Sequence, residues 1–174
     1  QDPYASRNND SPAWTKSSYH WGEPEWGYFL SQDEYVIRKD MSMLTDAGVD
    51  MIIFDVTNAV LYWDEWDVTL RTMAQMKKEG NKVPKFCFWA FNGNVITVVH
   101  QLYDKFYKNP RYQDLWFYWD GKPLLLYNAT PSVDANVGGG EKNLADYSDE
   151  VKQFFTLRNM WWGYYEWAGK RYVG

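Results

Sequence analysis

Several features that identify common classes of protein are missing from this sequence. Cys87 is the only cysteine, so no disulfide can form within the chain. Two histidines and one cysteine cannot supply the His and Cys ligands of a zinc site, and we expect no metal and no other cofactor. No apolar run approaches the ~20 residues of a membrane-spanning helix, so no membrane span is expected.

An excess of positive charge is also missing. The chain has 18 Lys and Arg residues against 23 Asp and Glu residues, which gives a formal net charge of −5. Domains that bind nucleic acid normally carry a basic surface, so we expect no nucleic-acid partner. The length of 174 residues suffices for one ordinary domain but falls short of the roughly 250 residues of a closed eight-stranded α/β barrel.

Aromatic residues, in contrast, are abundant. They make up 20% of the chain, with 11 Trp and 14 Tyr. Both side chains combine a flat apolar face with a polar edge, which suits stacking on a sugar ring. Any one of them could equally pack beneath a loop, because aromatic residues also dominate ordinary cores. The excess as a set favours an oligo- or polysaccharide as a partner.

The first predicted strand covers residues 49–58 and organises the rest of the chain. Its centre, from Met51 to Phe54, is apolar at every position, which is typical of a strand buried on both faces in a parallel sheet. It ends in polar residues, of which Asp55 is expected to be buried between apolar neighbours. The carboxyl ends of parallel strands are where ligands bind, so this end is a candidate site.

Helices and strands alternate along the chain. We predict helices over 34–47, 64–79, 95–107 and 146–155, strands over 49–58 and 85–91, a hairpin over 115–127, and a possible further strand over 159–167. Asp120 and Gly121 between apolar runs signal the hairpin, and Pro123 predicts that its second strand starts at an edge. This alternation is typical of a parallel α/β sheet. Residues 1–18 are predicted to be an irregular arm, and 19–174 one domain.

Several stretches together resemble a known family. They are His20-Trp21-Gly22-Glu23-Pro24, Gly27-Tyr28 with Ser31, Val36-Ile37-Arg38 leading into Ala47-Gly48-Val49-Asp50, and Asp120-Gly121-Lys122-Pro123. In this order they resemble the bacterial (β/α)8 glycoside hydrolases of the family 71/99-like type, relatives of endo-acting α-mannosidases and α-glucanases. The resemblance implies a partial TIM-type (β/α)8 barrel, with roughly four parallel strands, covering helices and one hairpin. It also implies hydrolysis of α-linked glycans and a secreted, periplasmic or cell-surface location.

Hydrolysis of a glycosidic bond requires two carboxyl groups, one to protonate the leaving oxygen and one to stabilise or attack the oxocarbenium-like centre. Asp55, at the end of the first predicted strand, is the best candidate for one of them. The other is Glu166, because the stretch 165–170 resembles a glutamate-containing Trp motif late in the family's barrel. We therefore expect Asp55 and Glu166 to be the catalytic pair.

The predicted sugar-binding residues lie on an aromatic loop near the start of the chain and at or after the ends of the predicted strands. They are His20, Trp21, Glu23, Asn58, Trp63, Trp89, Asn92, Tyr127 and Asn128. His20 could equally be structural, and Glu23 could equally lie on a solvated loop. Trp89 is also open, because alternation along its strand could turn it outward against a helix.

Two other functions fit the same features. A non-catalytic carbohydrate-binding module would also be rich in aromatic residues. A half-barrel fragment would expose the edges of its parallel sheet, so it could self-associate or contact the rest of a barrel. Turnover of a glycan separates the enzyme from both alternatives.

Overall fold

The structure is a computed structural model that describes residues 24–27, 29–56, 61–90, 95–127 and 147–159. The helices are α1 (Glu34–Asp46), α2 (Trp63–Lys78), α3 (Val95–Leu102) and α4 (Asp149–Phe154), and the strands are β1 (Met51–Asp55), β2 (Lys85–Ala90), β3 (Tyr118–Trp119), β4 (Lys122–Tyr127) and β5 (Thr156–Asn159). A π-helical turn, Tyr103–Tyr107, continues α3, and a 3-10 helix, Pro110–Leu115, follows it.

The main strands lie side by side in chain order. β1 pairs with β2, β2 with β4, and β4 with β5, each in parallel, while β3 pairs with β4 in an antiparallel hairpin. A helix connects each parallel strand to the next, because parallel neighbours require a crossover connection. These pairings confirm the prediction of an α/β fold with four parallel strands, covering helices and one hairpin.

Local sequence signals begin and end the first helix. The Asp33 carboxylate accepts hydrogen bonds from the backbone N–H groups of Tyr35 at 3.0 Å and Val36 at 3.4 Å, which caps the amino end of α1. Gly48, with φ of +77°, follows its last turn, where a residue without Cβ is favoured. The sequence predicts Ser31 or Asp33 as the cap of this helix and Gly48 as its terminating residue; the structure selects Asp33 and confirms Gly48.

Alternation along the strands gives the sheet two different faces. The helix-covered face carries Ile52, Phe54, Phe86, Phe88, Ala90, Leu125, Tyr127 and Leu157, which pack with residues of the helices in the main core. The opposite face carries Met51, Ile53, Asp55, Cys87, Trp89, Leu124, Leu126, Thr156 and Arg158. Cys87, Trp89, Leu124 and Leu126 form a second cluster there, against which no described helix packs. We call this the helix-free face.

Aromatic rings fill much of the core on the helix-covered face. Phe88 is fully buried and lies 5.1 Å from Trp66, 5.7 Å from Phe54 and 6.1 Å from Phe106, measured between ring centroids. Burying one such side chain contributes about 1.5–3 kcal/mol. Many of the aromatic residues therefore pack in the core, which is the alternative to stacking on a sugar.

The structure corrects three predicted elements. β1 is not buried on both faces: Ile53 is 39% exposed and Asp55 is exposed, because among the described residues β1 pairs with β2 alone. The last strand begins at Thr156 rather than at residue 159, because it pairs with β4 from that residue onward. The predicted helix over 95–107 changes from α to π geometry after Leu102.

Candidate functional site

The carboxyl ends of the four parallel strands meet at one edge of the sheet. β1 ends at Asp55, β2 at Ala90, β4 at Tyr127 and β5 at Asn159, and their parallel registers place these backbone ends side by side. In open and closed parallel α/β sheets this edge is the usual place for a ligand. The candidate site is therefore built from side chains at this edge.

A row of residues crosses the helix-free face near this edge. Asp55 is in register with Trp89, Trp89 with Leu126, and Leu126 with Arg158. Adjacent strands lie about 4.8 Å apart, so the Asp55 carboxylate and the Trp89 indole belong to neighbouring positions of one surface. Asp55 is exposed, which corrects the expectation that it is buried.

Trp89 is directed away from the helices. It packs with Cys87, Leu124 and Leu126 on the helix-free face, which answers the question that the sequence left open. Its side chain is 8% exposed, so a small part of the indole is available to a ligand in this arrangement. Trp89 therefore lies mostly beneath the surface beside Asp55 and offers little ring area for a sugar to stack on.

Cys87, beside Trp89, is not a reactive nucleophile. Cys87 is fully buried, and burial raises the pKa of its thiol to about 12, so the group stays protonated at neutral pH. Its Sγ lies 3.8 Å from the sulfur of Met51. Within the described ranges, no group of three or more His, Cys, Asp or Glu residues is arranged to hold a metal ion.

Two predicted sugar-binding residues lie on the other side of the sheet from Asp55. Tyr127 is buried on the helix-covered face, where its ring packs edge-on against Tyr147 at 5.9 Å. Trp63 is the first residue of α2 rather than part of a loop, and its ring packs 5.7 Å from that of Phe106. The structure therefore brings Asp55 and Trp89 together and separates Tyr127 and Trp63 from them.

The remaining predictions fall outside the described residues. They concern His20, Trp21, Glu23, Asn58, Asn92, Asn128 and Glu166, together with the arm over residues 1–18. Their roles stay predictions. The second carboxylate of the proposed pair is among them, so Asp55 is the one catalytic candidate whose position is described.

The sequence analysis missed a polar group at the other side of the helix-free face. The Arg158 guanidinium donates a hydrogen bond of 2.8 Å to the Asp120 carboxylate, and the Thr156 hydroxyl donates one of 2.6 Å to the backbone carbonyl of Trp119. The alternating pattern of residues 156–159 was the available signal. The aromatic run over 160–167 concealed it, because that run is the stronger strand pattern.

No described helix has the length and apolar character needed to cross a membrane. Comparisons of the chain with protein-family models, with curated proteins and with solved structures each found no match. The positions of Asp55, Trp89 and Arg158 on the helix-free face, together with the sequence resemblance, are thus the basis on which a function is inferred.

Proposed function

We propose that this chain is a carbohydrate-active protein that hydrolyses α-linked glycans and forms part of a TIM-type (β/α)8 barrel. One observation carries the proposal: Asp55 and Trp89 are register partners on the helix-free face, at the carboxyl edge of the parallel sheet. In (β/α)8 barrels the helices cover the outside and the active site lies at this edge. A carboxylate beside an indole there suits a sugar substrate.

Two carboxyl groups carry out the proposed reaction. Asp55 supplies one and Glu166 the other, so that one protonates the leaving oxygen while the other stabilises positive charge at the anomeric carbon, directly or through a neighbouring hydroxyl. The exposure of Asp55 supports this role, because a catalytic carboxyl must reach a glycan that arrives from solvent. We expect no cofactor to take part, and the resemblance implies a secreted, periplasmic or cell-surface location.

The release of reducing ends from a panel of α-linked gluco- and manno-oligosaccharides tests this function. We expect Asp55→Asn and Glu166→Gln each to lower turnover by roughly 10²–10⁴-fold, the usual contribution of acid–base groups. Asp50→Asn is the matched control, because Asp50 is an exposed aspartate just before the opposite end of β1. Equal turnover in Asp55→Asn and Asp50→Asn would contradict the assignment of Asp55.

A non-catalytic carbohydrate-binding module is the second candidate. Four aromatic side chains, Tyr35, Tyr62, Tyr118 and Trp119, are about half exposed, as in surfaces that stack on sugars. Binding of the same oligosaccharides without any release of reducing ends would favour the module over the enzyme.

Self-association of a half barrel is favoured by a different observation. Ile53 is an exposed apolar residue on the helix-free face of β1, and a second copy or the rest of a barrel could cover it. Light scattering of the purified chain measures this directly. A monomeric mass at high concentration contradicts self-association.

A further inference from the structure

We propose that Trp119, Asp120 and Arg158 form a second sugar-binding site, the hairpin subsite, which takes one neutral hexose residue of a glycan. The three residues come from the turn of the β3–β4 hairpin and from β5. The identity of the ligand rests on the proposed function, whereas the geometry of the hairpin subsite does not involve Asp55.

Hydrogen bonds hold the hairpin turn onto β5. The Thr156 hydroxyl binds the Trp119 carbonyl at 2.6 Å, and the Arg158 guanidinium binds the Asp120 carboxylate at 2.8 Å. Thr156 and Arg158 alternate with Leu157, which packs in the main core, so both are on the helix-free face. The hairpin subsite therefore shares its face with Asp55.

Trp119 provides an exposed ring that is supported from one side. Its indole is 50% exposed, and its centroid lies 6.4 Å from that of Phe117. Phe117 in turn packs against the cluster of Cys87 and Trp89. A ring fixed in this way loses little conformational freedom when a ligand stacks on it, and the C–H face of a sugar is a suitable partner.

The ion pair beside Trp119 suits neighbouring hydroxyl groups. The Arg158 guanidinium is a donor and the Asp120 carboxylate an acceptor, so adjacent hydroxyls of a hexose can accept from one and donate to the other. Both side chains are exposed, and an exposed ion pair contributes little stability, so new partners cost little. The two charges cancel, so the pair gives an anionic sugar no net attraction and suits a neutral one.

The hairpin subsite is separated from Asp55 both across the sheet and along the strands. In the register row that crosses the sheet, Arg158 lies three strands from Asp55. At about 4.8 Å per strand this is roughly 14 Å between backbones. Trp119 is in register with Lys122, four residues before Leu126 along β4, which adds about 13 Å along the strand at roughly 3.3 Å per residue. The hairpin subsite would therefore bind a separate sugar residue and not one next to the bond to be cleaved.

Calorimetric titration with an α-1,4-linked glucoheptaose and an α-1,6-linked mannohexaose tests the hairpin subsite. The full chain is used in an Asp55→Asn background, so that the probe is not consumed. We expect Trp119→Ala and Arg158→Gln each to raise Kd by about tenfold. Trp119→Tyr should retain most of the affinity because it keeps a ring. Met43→Ala is the matched control, since Met43 is also 50% exposed and apolar but lies on α1.

Asp120→Asn refines the assignment of the charge. Asp120 has φ of +51° and Gly121 φ of +78°, a left-handed turn that asparagine also adopts. This variant therefore keeps the hairpin while removing the negative charge. We expect weaker binding of the neutral probes and a gain in binding of an oligogalacturonate, because the Arg158 guanidinium is then no longer balanced by a carboxylate.

The outcomes separate the hairpin subsite from the proposed catalytic function. If Trp119→Ala and Arg158→Gln each lose affinity for the neutral probes by tenfold and the wild type shows no turnover, the subsite is supported and the enzymatic function is contradicted. If turnover depends on Asp55 but Trp119→Ala and Arg158→Gln bind the probes as tightly as the wild type, the subsite is contradicted and the enzymatic function is supported. Absence of binding to either probe, or tighter binding of the oligogalacturonate than of the neutral probes by the chain with Asp120 intact, also overturns it.

Discussion

The two faces of the sheet are built from the same strands but differ in what covers them. On the helix-covered face, Phe86, Phe88 and Leu125 are fully buried beneath aromatic and aliphatic residues of the helices. On the helix-free face, an apolar centre around Cys87 is flanked by exposed Asp55 on β1 and exposed Arg158 on β5. The larger hydrophobic core therefore lies on one face, and exposed polar groups lie at the margins of the other.

This difference explains how one sheet can both hold the core and present polar groups to a ligand. A substitution on the helix-covered face leaves a cavity among closely packed rings, whereas the rim of the helix-free face has solvent beside it. Side chains such as Asp55 and Arg158 can thus be polar at little cost to the fold.

The largest expected effect is the loss of an aromatic ring from the helix-covered face. Phe88→Ala should lower the free energy of unfolding by about 3–5 kcal/mol, because it leaves a cavity among the rings of Phe54, Trp66, Phe86, Phe106 and Tyr107. Ile53→Ala, on the helix-free face, should cost less than about 1 kcal/mol. Urea denaturation followed by far-UV circular dichroism measures both. Equal losses would show that the two faces are equally covered.

The reactivity of Cys87 tests whether the buried cluster on the helix-free face is closed to solvent. With its pKa raised to about 12, the thiol is almost entirely protonated at pH 8, whereas a free cysteine with pKa of about 8.5 is partly ionised. Alkylation by iodoacetamide should be on the order of 10³-fold slower in the native protein than in urea. Mass spectrometry of timed samples follows the reaction. Rapid native labelling would mean that the cluster around Cys87 is open.

The smallest effect is expected outside both faces, between α1 and α2. Hydrogen bonds of 2.7 and 3.1 Å from the Arg38 guanidinium and one from Gln75 lower the pKa of the Glu79 carboxyl. The stability from this pair is present at neutral pH and is lost as the pH falls through the lowered pKa of Glu79. In Arg38→Gln the urea concentration at half unfolding should therefore fall less than in the wild type as the pH is lowered.

The change in Arg38→Gln should be slight, because both side chains are largely solvated and salt screens them. Glu79→Gln should reduce this fall to a similar extent, and the double variant should reduce it no further. A large loss of stability in either variant would mean that this surface, rather than the aromatic core, holds the helices in place.

Features governed by local rules were predictable from the sequence. Asp33 as a cap, Gly48 as a stop and the Asp120-Gly121 turn each depend on a few adjacent residues, and all three are confirmed. Pro123 also pairs with the short β3 strand before β4 enters the parallel sheet. The α/β class follows from the order of such elements.

Features that depend on neighbours distant in sequence were not predictable in the same way. The exposure of Asp55 and Ile53 depends on how many strands flank β1, which their own apolar pattern does not reveal. The side on which Trp89 and Tyr127 lie depends on where the helices pack, because both strands are apolar at consecutive positions. Arg158 was missed because its strand begins earlier than the aromatic run that follows it.

The chain-order arrangement of β1, β2, β4 and β5 also bears on how the protein folds during synthesis. Each new strand pairs with the strand before it in this row, and the paired residues are 32 to 37 positions apart in sequence. The strands can therefore pair in the order in which they are synthesised. The edge of each new strand stays unpaired until the next helix and strand have been made.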